Sequence, residues 1–161
     1  MLIRKNKTKL SLKAEYNDEK WSPLFFAELE KVQDPRIALR MLDEHWLGKR
    51  NSEEIEFLID GTIKQIKQSE TFKLERNRLI TEIKREISFN TPPKIVELGS
   101  GLGLNLIELF LAYGNQIPLI SLEYAENAIE FQKKLFANLN ISCQFGNFDM
   151  FSPQLPEIAN G

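Results

Sequence analysis

Apolar positions along this chain change their period once, at Asn90-Thr91-Pro92-Pro93, and the two sides of that break predict different architecture. Residues 1 to 20 are polar and charged with little periodicity, and are expected to form a mobile leader. From Ser22 onward apolar side chains recur at helical spacing. Ser22 is placed to cap a helix that opens with Pro23 and carries Leu24, Phe25 and Leu29. Asp34-Pro35 repeats that start signal for a helix bearing Ile37, Leu39, Met41, Leu42, Trp46 and Leu47, which stops at Gly48. A third helical stretch is expected from Ser52, with Glu53 and Glu54 suited to its positive end and Ile55, Leu58, Ile59, Thr62, Ile63 and Ile66 on one face. Thr71 to Ile87 continues in this style. Phe72, Leu79, Ile80, Ile83 and Ile87 are read as inward, and Lys73, Glu75, Arg76, Glu82, Lys84 and Arg85 as outward.

Beyond the prolines short apolar runs alternate with helical ones. Strands are expected at 94–98, 119–123 and 142–145, and helices at 102–113, ended by Gly114, and 125–138. Strands separated by helices of about a dozen residues imply right-handed crossovers and a parallel sheet. The fold class is therefore α/β: an N-terminal helical cap or lid over residues 1–91, then a partial Rossmann-like parallel sheet over 92–161.

The first of these strands runs into Glu97-Leu98-Gly99-Ser100-Gly101-Leu102-Gly103-Leu104-Asn105. Three alternate glycines at a strand-to-helix turn open backbone angles closed to other residues and leave the loop free of obstructing Cβ atoms. The helix that follows directs its free N–H groups into that loop, which favours a carboxylate or phosphate. Spacing discriminates between ligands. A dinucleotide fingerprint is Gly-x-Gly-x-x-Gly, whereas Leu104 stands here where its third glycine would be.

An acid two residues before Gly-x-Gly-x-Gly resembles the first signature of the class I S-adenosylmethionine-dependent methyltransferases. Two further stretches agree with it: Leu122-Glu123-Tyr124-Ala125-Glu126, at the end of the second strand, and Gly146-Asn147-Phe148-Asp149-Met150, at the end of the third. The resemblance covers about residues 92 to 153. It implies a sheet whose first three strands lie in the order 3-2-1 and a cofactor site lined by Glu97, Gly99, Ser100, Gly101, Gly103, Asn105, Glu123, Tyr124, Asp149 and Met150. Glu97 would face the ammonium of the methionine moiety, Gly99 to Gly101 would line that moiety with backbone, and Glu123 would accept both ribose hydroxyls. Tyr124 would flank the adenine and Asp149 would accept from its amino group. Asn147-Phe148 departs from the commoner pattern of glycine immediately before the acid. That family's sheet has seven strands, so the chain is expected to be the N-terminal part of such an enzyme, inactive by itself and prone to self-association through an unpaired strand edge.

Composition narrows the alternatives. Of 161 residues 42% are hydrophobic, and 21 basic against 23 acidic residues give a net charge of −2, so bulk charge argues for neither nucleic acid nor membrane. One cysteine and one histidine supply neither a disulfide nor a zinc cluster. With no apolar targeting segment, a cytoplasmic location is expected. His45 and Trp46 read as partly buried helix residues, and Cys143 as a small core residue. The methyl acceptor and any catalytic residue stay unassigned. Two other functions remain open: a nucleotide-binding Rossmann protein of another class, and a non-catalytic module whose residues 22–89 bind a partner.

Overall fold

A computed structural model describes residues 23–47, 52–87, 93–150 and 157. The leader, Ser22, Gly48 and the break at 90–92 lie outside them. Helices α1 (Pro23–Leu29) and α2 (Pro35–Leu47) come first. Asp34 starts the second as the sequence suggests, its Oδ1 accepting from the Arg36 amide at 2.8 Å while its carbonyl accepts from Ala38.

The third expected helix is instead a β-hairpin. Strands β1 (Glu54–Ile59) and β2 (Thr62–Lys67) pair antiparallel, with Ile59 opposite Thr62 and Leu58 opposite Ile63. Two local facts decide this. Ile55, Phe57 and Ile59 alternate with Glu54 and Glu56, a two-residue period, and Asp60-Gly61 adopts positive φ at both positions (49° and 77°), as a tight hairpin turn of matching twist requires. Alternation also sends Leu58 and Ile63 to the face opposite Ile55 and Ile59, where both are about two-thirds exposed.

Helix α3 (Gln68–Glu86) follows directly. Phe72, Leu79, Ile80 and Ile83 are partly buried, as their spacing implies. Arg76, expected outward, is buried: its guanidinium meets Asp43 of α2 through two hydrogen bonds of 2.8 and 2.5 Å, with Glu108 at 3.7 Å. Helical periodicity assigns polar residues to the surface by default. A carboxylate pair on neighbouring helices overrides it here, because a buried guanidinium needs charged partners.

The second half is built from β3 (Ile95–Leu98), α4 (Leu104–Tyr113), a short 3₁₀ turn (Gly114–Gln116), β4 (Leu119–Glu123), α5 (Glu126–Asn138) and β5 (Cys143–Asn147). The strands form a parallel sheet in the order β3-β4-β5, with Glu97 level with Ser121 and Ser121 level with Phe145. Strand β4 is buried at all five positions, as expected of a central parallel strand. Among the described residues β3 is an edge strand.

One buried cluster runs through both halves: Leu29, Ala38 and Leu42 from the first two helices join Leu106, Ile107 and Leu109 of α4 and Leu135 and Phe136 of α5. Phe26 and Phe131 meet edge to face at 4.6 Å, and the Asn138 amide donates to the Glu30 carbonyl. The helical segment is thus fastened against α4 and α5.

Candidate functional site

The loop from Gly99 to Gly103 owes its shape to three left-handed glycines, with φ of 70°, 56° and 78° at Gly99, Gly101 and Gly103. They serve different ends. A Cβ on Gly103 would lie 2.7 Å from Phe136 Cζ, so this glycine lets the loop press onto α5. A Cβ on Gly99 would meet nothing within 4 Å, so its face is open.

Beneath the loop a polar network holds it. Gln132, fully buried on α5, donates to the Gly101 carbonyl at 2.6 Å and to Ser100 Oγ at 3.0 Å, and accepts from Ser121 Oγ at 2.7 Å. The two serine hydroxyls are themselves 2.7 Å apart. Glu123 completes the clamp. Its Oε2 accepts from the Gly101 amide at 2.7 Å, and its Oε1 from the amides of Tyr124 and Ala125 at 2.7 and 3.0 Å. A carboxylate has about four lone-pair sites, and three are taken. Glu123 is only 4% exposed, so it is a structural anchor for the loop with room for at most one further donor.

Glu97 sits otherwise. Its Oε1 accepts from Asn105 Nδ2 at 2.7 Å, but its Oε2 is buried with no partner among the described residues. Burial, partly offset by the Asn105 bond and reinforced by the negative charge of Glu123, pushes its carboxyl up to about 7.

A cavity of about 440 Å³ opens above Gly99, Ser100 and Gly101 and brings Glu97 and Asn105 together with Leu102 and Leu104. Its far wall comes from the helical segment: Trp46 of α2 and Phe72, Glu75, Arg76 and Leu79 of α3. Five of the ten expected site residues therefore share this cavity: Glu97, Gly99, Ser100, Gly101 and Asn105. Gly103 and Glu123 lie in the supports beneath the loop. Tyr124 and Asp149 follow the neighbouring strand ends and do not line it, and Met150, 59% exposed, stands apart from it as well.

Sequence reasoning missed the far wall. Trp46 and Phe72 carried the appropriate signal, large apolar groups at helix positions, yet nothing local says that they face the glycine loop rather than a core. Of the pair expected to be partly buried, His45 is so and stacks on Phe25 with ring centroids 3.8 Å apart, whereas Trp46 is 46% exposed. Burial pushes the Cys143 thiol up to about 12, which removes it as a nucleophile at neutral pH.

Among the described residues no cluster of His, Cys, Asp or Glu could hold a metal ion, and no helix is long and apolar enough to cross a membrane. Comparison with protein-family models, curated proteins and solved structures finds no match to the chain. The functional reading therefore stands on the geometry of the residues themselves.

Proposed function

We propose that the chain is an S-adenosylmethionine-dependent methyltransferase of Rossmann-like type that binds its cofactor in the cavity above the glycine loop. The observation that carries this reading is the pairing of an open glycine face with Glu97, whose buried Oε2 has no partner and which lines the same cavity. Such an oxygen fits a cationic nitrogen, because a buried acceptor without a donor costs free energy that a charged donor recovers. Bound, the cofactor supplies a methyl group already activated on a sulfonium.

Glu97 and Asn105 would hold the ammonium end, with the backbone of Gly99 to Gly101 beside it. First-turn N–H groups of α4 favour the carboxylate. Trp46, Phe72 and Leu79 would exclude water and orient the ligand, and orientation is the main demand that transfer of an activated methyl makes on a protein. Toward the ribose the fit is narrower than the family resemblance implies, since Glu123 retains one free lone-pair site for two hydroxyls unless Gly101 N–H lets go.

The engagement of Glu123 by three backbone amides, one of them from the glycine loop, favours a second reading, in which the glycine turn is purely structural and the chain is an interaction module. Thermal unfolding of the purified chain separates the two. S-adenosylhomocysteine at saturating concentration should raise the melting temperature while NAD leaves it unchanged. A protein indifferent to S-adenosylhomocysteine contradicts the cofactor reading.

A further inference from the structure

Glu97 differs from every other described carboxylate in having a buried oxygen that nothing satisfies. Among the described residues its surroundings supply no cation that is not already paired. From α4 comes the neutral Asn105 amide. From β4 come Ser121, engaged with Ser100 and Gln132, and Glu123, a like charge. On β5, Cys143 is held as a neutral thiol. Across the cavity α3 presents Glu75 and Arg76, and Arg76 is committed to Asp43 with Glu108 nearby. Within this group a carboxylate at Glu97 would face one donor, one repelling charge and burial of Oε2. A neutral carboxyl avoids both the cost of burying a charge and the repulsion from Glu123.

We propose that this cavity exchanges a proton for its ligand: below neutral pH Glu97 is mainly a carboxylic acid in the ligand-free protein, and it gives its proton to solvent when a ligand ammonium group enters the cavity and the carboxyl turns to meet it. The O–H bond breaks, the proton leaves to buffer, and the carboxylate that remains pairs with the cation. This inference rests on the S-adenosylmethionine reading and adds to it a coupling between binding and pH. Because the free carboxyl titrates near 7, about half a proton is released per ligand at pH 7 and about nine-tenths at pH 6. Affinity should accordingly rise about five-fold from pH 6 to pH 7.

Calorimetric titration of the full chain with S-adenosylhomocysteine, in two buffers of different ionisation enthalpy at pH 6 and pH 7, measures the released protons directly. The expected result is a buffer-dependent heat and tighter binding at pH 7. 5′-Methylthioadenosine, which lacks the amino-acid end, should bind with no proton release and equal affinity at both pH values. Binding of S-adenosylhomocysteine without proton release overturns the inference and leaves the cofactor reading standing; failure of both nucleosides to bind overturns both. An independent check needs no ligand: the Glu97 side-chain carboxyl carbon, followed by NMR, should titrate with a midpoint near 7. A midpoint near the ordinary 4.5 overturns the proposal.

Discussion

Two neighbouring strands of this sheet each carry a glutamate at the carboxyl end, and the structure treats them oppositely. Glu123 closes β4 and accepts three backbone amides, one of them from the adjoining loop. Glu97, on β3, has one side-chain donor and an oxygen left over. Each is largely removed from water, so burial alone does not separate them. Supply of N–H groups does. One residue has been built into the scaffold, whereas the other keeps an oxygen that no described residue satisfies. A carboxylate at a strand end is thus not a ligand site by position alone; what matters is whether the backbone has already saturated it.

Substitutions test that contrast, beginning with the largest expected effect. Glu123→Ala should destabilise the chain by about 3 kcal/mol in denaturant unfolding, because it strands three amide donors, that of Ala125 buried and those of Gly101 and Tyr124 part-buried. Indifference of stability to this change would remove the anchoring role. Gly103→Ala should cost about 2–3 kcal/mol, combining left-handed backbone strain with a collision at Phe136. Gly99→Ala keeps only the strain, about 1 kcal/mol, since its Cβ enters open space. Its cost should appear instead in ligand affinity, which the calorimeter reads.

Glu97→Gln runs in the other direction. With its pKa raised from 4.5 to about 7, Glu97 binds more protons in the folded state than in the unfolded one across that window. Stability should therefore fall as pH rises from about 4.5 to 7, by roughly 2–3 kcal/mol from this group, and stay low above. The glutamine variant should lose that slope and be the more stable protein by about 1–3 kcal/mol at pH 8, while binding the amino-acid end of the ligand more weakly. The smallest effect belongs to the hairpin tip: Leu58→Thr should change stability by under about 0.5 kcal/mol, since that side chain is exposed.

How far the sequence spoke for the structure follows the same division between local and non-local causes. Asp34-Pro35 announced α2, and the apolar runs at 119–123 and around 143–145 announced strands, because caps and short buried runs are local signals. The stretch after Ser52 was also local but was read with the wrong period. Ile55 and Ile59 satisfy a four-residue spacing and a two-residue one equally, and Asp60-Gly61 was the sign that decided between them. Arg76 illustrates the non-local case, since its burial depends on Asp43 and Glu108 from other helices. At the site, the glycine spacing and Glu97 were legible from residue types. The saturation of Glu123 was not, because it depends on where the loop folds back and on Gln132 from a later helix.

The central claim is that the face of Gly99 and the free oxygen of Glu97 together receive an adenosyl amino acid. Backbone amide NMR of the ¹⁵N-labelled chain during titration with S-adenosylhomocysteine tests it most directly. The account predicts saturable shifts at Gly99, Ser100, Gly101 and Asn105, none at Leu58 and Ile63 in the hairpin, and no response to NAD. Unmoved signals at Gly99 and Gly101, or an equal response to NAD, would contradict it.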